Sequence, residues 1–161
     1  MLDFHELYAK YAPEVYRFAY WLSGDPAEAE DITSEAFVRA WINLARIRTE
    51  TLKAYLMTIA RNIYLEQLRK RRRQSNLEDG HPDSRPGPEQ QAENQAELEA
   101  VRKVLGTLPE VDRAAFILRV QHDLPYAEIG RVLQCSEIAA KVKVHRTRKR
   151  LLRARMSKEV A

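Results

Sequence analysis

Two small all-helical domains joined by a linker are what this sequence predicts, and three observations predict them. Apolar residues recur at intervals of three and four along most of the chain, and no segment alternates with period two for long enough to argue a sheet. The stretch from Gln74 to Gln91, QSNLEDGHPDSRPGPEQQ, holds three of the seven prolines and two of the five glycines and has almost nothing to bury, so its ordering entropy is not offset. Charge changes sign block by block: net −3 over residues 1–60, +5 over 61–73, −6 over 74–100 and +8 over 101–161. The resulting division is 1–73 for a first domain, 74–92 for a flexible acidic linker and 93–161 for a second domain.

The first domain reads as three helices. Leu7, Tyr11, Val15, Phe18 and Leu22 share one face of the first, which Gly24 closes. Asp25, Pro26 and Glu28 form a start signal: a side-chain cap, a proline in the first turn and a glutamate that can reach back. The second helix is expected to bury Ile32, Ala36, Ala40, Trp41 and Leu44. After a polar stretch the third carries Leu52, Tyr55, Leu56, Ile59, Ile63 and Leu68, then runs out into RKRRR.

In the second domain Leu98, Val101, Val104 and Leu105 mark a helix ending near Gly106. Thr107-Leu-Pro-Glu110 looks like a capping signal for the next, whose apolar positions include Val111, Phe116, Leu118 and Val120. A short helix, Tyr126 to Leu133, a break at Gln134-Cys135-Ser136, and a long basic helix from Glu137 to about Arg155 give helix-turn-helix layout.

Residues 141–155 hold eight lysines and arginines and no acid, and such a helix fits a major groove, where Lys and Arg donate to guanine edges and phosphates. The plain alternative is a solvated C-terminal helix whose positive end suits its dipole. Asp25, Glu28, Glu30, Asp31 and Glu35 make the opposite surface, five acids without a base. Catalysis has little support: the four histidines are scattered, no His/Cys/carboxylate cluster has metal-ligand spacing, and the glycines are too dispersed to cradle a phosphate. No enzyme activity, cofactor or metal is expected. Cys135 reads as a buried structural thiol in the turn. One cysteine excludes a disulfide framework, no apolar run approaches the ~20 residues of a membrane span, and the first ten residues lack a signal-peptide layout, so a cytoplasmic protein is the expectation.

The run LPYAEIGRVLQCSEIAAKVKVHRTRKRL resembles the C-terminal promoter-reading region of the extracytoplasmic-function (ECF) sigma factors of bacterial RNA polymerase. AEAEDITSEAFVRAW is similar to their polymerase-binding helix, and AYLMTIARNIYLEQLRKRRR to the helix after their promoter-melting loop. Two matches in the right order cover nearly the whole chain. The resemblance implies an initiation factor whose partners are core RNA polymerase, promoter DNA and an anti-sigma factor. It implies that Asp31, Glu35 and Phe37 anchor the polymerase. It places Arg46, Ile47, Arg48, Arg61 and Asn62 at minus-ten DNA, with the loop Ala45 to Lys53 and Asn62 holding a flipped base, a task that suits an amide. Arg119, Lys141, Val142, His145, Arg146 and Arg148 fall to minus-thirty-five DNA. Ser34 stands where the family has glutamine, Gln134 replaces the turn glycine, Ile138 and Ala139 replace a small residue and a threonine, and Pro125 stands where a serine cap is common. The other reading is an autonomous helix-turn-helix regulator with an N-terminal dimerisation or sensing domain.

Overall fold

The computed structural model describes residues 3–43, 46, 52–77 and 93–160, and among these every regular element is an α-helix. In order they are α1 (Phe4–Ser23), α2 (Pro26–Ile42), α3 (Leu52–Leu77), α4 (Glu93–Gly106), α5 (Glu110–Val120), α6 (Tyr126–Leu133) and α7 (Glu137–Val160). Helices α1 to α3 pack on one another as a bundle, and α4 to α7 form a second group in which α7 touches α4, α5 and α6.

Local chemistry sets the boundaries. The Asp3 carboxylate accepts from the Glu6 amide to start α1, and Gly24, at φ 73°, ends it by donating its N–H to the Tyr20 carbonyl. The Asp25 side chain accepts from Ala27 N, with Pro26 fixing the first turn of α2. Helix α3 continues through Gln74 and Ser75 to Leu77, into the first residues of the expected linker; the rest of that segment, 78–92, lies outside the described residues. The predicted cap at Thr107 is not used for α5. Pro109, whose ring has no acceptor, occupies that N-cap, and the Thr107 hydroxyl instead donates back to the Val104 carbonyl at 2.6 Å, closing α4.

The first-domain core follows the predicted faces, with Leu7, Val15, Phe18, Leu22, Ile32, Ala36, Leu56 and Ile63 buried. Trp41 departs from expectation: it is exposed, resting edge-on against Phe4 with centroids 5.4 Å apart. In α5 the buried apolar residues are Ala114, Ala115, Ile117 and Leu118, while Val120 is exposed. This shift arises because α5 packs against α1 as well as against its own domain.

The two domains share one apolar cluster, and polar ties cross between them. Buried Arg113 on α5 donates to the carbonyl oxygens of Leu105 (3.4 Å) and Leu108 (3.2 Å) and to the Tyr64 hydroxyl of α3 (3.0 Å). Arg61 on α3 forks onto the Glu110 carboxylate at 2.7 and 2.8 Å. Arg102 on α4 donates to the Gly24 carbonyl at the end of α1. Lys53 donates to the His122 carbonyl at 2.7 Å while pairing with Glu14.

His122 is buried with its ring edge-on to Phe18, and neither ring nitrogen has a hydrogen-bond partner. Burial first, and then the positive charges of Lys53 and Arg17, push its pKa down to about 4. The unfolded chain takes up this proton near pH 6.5 and the folded chain only near pH 4. Stability from this group is therefore complete above pH 6.5 and declines by up to about 3 kcal/mol as pH falls to 4. His122→Phe, which keeps the ring and loses no hydrogen bond, should flatten that part of the stability profile, as read by urea unfolding between pH 7 and pH 4.

Candidate nucleic-acid interface

Helix α7 is built to show one face. Its first turn is capped by Ser136, whose Oγ accepts from Ala139 N at 3.0 Å. Ala140, Val144 and Thr147 face inward, and the Thr147 hydroxyl lies within bonding distance of the Lys143 and Asp112 carbonyl oxygens. The turn before it uses Gln134 at φ 58°, ψ 46°, a left-handed conformation in which glycine costs less. Gly130 of α6 is needed there: a Cβ would lie 2.7 Å from the Cys135 carbonyl oxygen. Cys135 itself is half-buried.

Lys141, Val142, His145 and Arg148 are all exposed on α7. Arg146 differs. It forks onto Asp112 of α5 at 2.8 and 3.1 Å, and this carboxylate, first by hydrogen bonding and then by charge, holds the guanidinium pKa above its usual value. Arg146 thus braces α7 against α5, a role that spacing alone does not reveal. Arg119 also has an internal function: it donates to the Leu124 carbonyl at 3.1 Å and lies over the Tyr126 ring, tying α5 to the start of α6.

On the first domain Asp31 and Glu35 are exposed on the same face of α2, and Glu35 is drawn to Arg39 at 2.6 Å, which in turn holds Glu66. Phe37 is 1% exposed and packs on Tyr8, so the structure corrects the expectation that it is a surface anchor. The side chains that share the Asp31 face are Val38, 54% exposed, and Ile42, 75% exposed. They lie seven and eleven residues beyond Asp31, within about 20° of it at 100° per residue. Their i, i+4, i+7, i+11 series is legible in the sequence but is masked by the aromatic beside it.

Of the minus-ten candidates, Arg46 and Asn62 are exposed, Arg61 is held by Glu110, and Ile47 and Arg48 lie outside the described residues. Asn62 and Arg46 belong to one domain, but they are not hydrogen-bonded into a formed pocket among the described contacts. Beyond Asn62 the same helix exposes Arg69, Lys70, Arg72 and Arg73. Among the described residues no group of three or more His, Cys, Asp or Glu could hold a metal, and no helix is long and apolar enough to cross a membrane.

Residues 7–74 match the Sigma-70 region 2 family and residues 98–151 the Sigma-70 region 4 family. Over 148 residues the chain is 30% identical to the ECF RNA polymerase sigma factor SigM of Bacillus subtilis (strain 168), covering 91% of each. This chain belongs to the ECF sigma factors. A second member, SigE of Mycolicibacterium smegmatis, is 33% identical over 156 residues, 94% of this chain and 61% of that relative's length. The fold is similar to that of the sigma factor RpoE from Bartonella quintana, solved in complex with the anti-sigma factor NepR: TM-score 0.80 and 28% identity, covering 94% of this chain and 96% of that one. Sigma factors are transcription initiation factors rather than enzymes. The family match accounts for two basic surfaces and an acidic one in a single chain.

Asp112 is almost wholly buried whereas the Arg146 side chain is half exposed. A double-mutant cycle of Asp112→Asn and Arg146→Ala, read by thermal unfolding, should give a coupling of about 1 kcal/mol. A coupling near zero would remove the bracing role from Arg146.

Proposed function

We propose that this chain binds core RNA polymerase in the cytoplasm and directs it to a particular class of promoters, under the control of an anti-sigma factor. One observation carries the reading: the acidic and apolar face of α2 and the basic outward face of α7 lie on separate domains, in the order of the two matched sigma regions. Residues 1–73 would dock on the polymerase through Asp31, Glu35, Val38 and Ile42 and open minus-ten DNA with Arg46, Ile47, Arg48 and Asn62. Residues 93–161 would read the minus-thirty-five element through Lys141, Val142, His145 and Arg148, with 74–92 linking the two.

Anti-sigma control is supported by the likeness to a sigma factor solved with its anti-sigma factor, which extends over both domains. The docked arrangement also engages Arg61 with Glu110, so minus-ten DNA and the second domain compete for the same guanidinium. Separation of the domains frees Arg61, and a partner that bridges them keeps it occupied.

Reconstitution with core RNA polymerase tests the function directly. Initiation at defined promoters is expected only when the chain is added, and operator binding without polymerase would overturn the reading. Asp31→Lys combined with Ile42→Asp should lower affinity for core enzyme at least tenfold while the helical circular-dichroism signal stays unchanged. Phe37→Ala should instead cost ~3–5 kcal/mol of stability, because it opens a cavity in the core.

A further inference from the structure

The outward strip of α7 carries large apolar side chains where a solvated or purely phosphate-binding helix has no use for them. Ile138 is 77% and Val142 52% exposed, one turn apart. At 100° per residue, Val142, His145 and Lys149 all lie within about 40° of the direction of Ile138, and Lys141 within about 60°. Ala140, Val144 and Thr147 are buried on the opposite side, so this strip is the one presented to whatever the helix meets. Lys141, Arg148 and Lys149 are exposed along it, and residues 138–155 contain no acid. Glu137 lies about 100° around the helix from Ile138, off the strip.

The occupant of such a strip must be polyanionic at its edges and apolar at its centre. Duplex DNA has that layout wherever the major groove displays thymine, whose C5 methyl is the apolar group among the donors and acceptors of the base edges. With Arg146 turned aside by Asp112, the side chains left on the strip over the first two turns are Ile138, Lys141, Val142 and His145, two of them apolar. The Ser136 cap and the close approach of Gly130 to the turn hold those two turns in place.

We propose that Ile138 and Val142 are specificity-determining residues that read thymine methyl groups in the upstream promoter element, while Lys141, Arg148 and Lys149 hold the flanking phosphates. This deepens the promoter-reading role of α7 and rests on it.

The test uses the full chain with core RNA polymerase and a promoter library randomised in its upstream element, synthesised with either thymine or deoxyuridine at those positions. Thymine-containing elements are expected to be enriched at one or two positions, and exchange of each such thymine for deoxyuridine should weaken binding about fourfold, the equivalent of one buried methylene-sized group. Ile138→Ser and Val142→Ser should each abolish the methyl preference at one position. Both residues are exposed, so helix content should not change, and the salt dependence from the lysines and arginines should persist. Equal enrichment of thymine and deoxyuridine would overturn the methyl-reading role while leaving the selected promoter, and hence the sigma function, intact. Failure to select any upstream element would overturn the DNA-reading role of α7 itself.

Discussion

The closed arrangement of this chain depends on the buried guanidinium of Arg113. Its Nη atoms reach the Leu105 carbonyl in the last turn of α4, the Leu108 carbonyl in the connection to α5, and the hydroxyl of Tyr64 in the other domain. These three acceptors of the buried cation are all neutral oxygens, so losing one would leave part of its desolvation uncompensated. The helix end, the second domain and the face of α3 are therefore ordered by the same group. Tyr64 shows the reverse of the coin: burial raises its phenol pKa above the usual value despite the nearby positive charge, keeping the hydroxyl neutral and able to accept.

Around that tie the interface sorts side chains into two kinds. Arg61 and Lys53 make contacts that hold only while the domains touch, whereas Asp31, Val38, Ile42 and the outer strip of α7 remain open to other molecules. The faces proposed for polymerase and for promoter DNA thus stay available while Arg61, proposed for minus-ten DNA, is occupied. Since Arg61 and Glu110 are both largely shielded from solvent, salt screens their pairing less than it screens the exposed Glu35–Arg39 pair.

Periodicity made the seven helices and most of the first-domain core legible, because a bundle of three amphipathic helices has little freedom in which faces it hides. The helix-turn-helix was legible from the break at Gln134 to Ser136 and from the charge of the segment that follows. Side-chain roles were less accessible wherever two helices compete for one residue. Phe37 and Trp41 are four residues apart, the first expected as a surface anchor and the second in the core, yet Phe37 is buried against Tyr8 while Trp41 rests exposed against Phe4. Arg146 belongs by spacing to the reading face, but Asp112, more than thirty residues earlier, claims it. His122 carried no signal at all, since an isolated histidine gains meaning only from the Phe18 ring, the charges of Lys53 and Arg17 and the burial that the opposite domain supplies. Contacts between distant segments are what a one-dimensional pattern does not contain.

Gly130 separates two properties of the helix-turn-helix. The angle at which α7 leaves the turn is set by an atom that is missing, because the Cys135 carbonyl occupies the space a Cβ would fill. The residues along the outer strip take no part in that joint; Ile138, Val142 and His145 point away from it. The frame and the inscription it carries can therefore be altered independently. Exchanges along the strip would change what α7 presents on an unaltered scaffold, whereas a side chain at Gly130 would shift the whole helix and with it every residue of the strip at once.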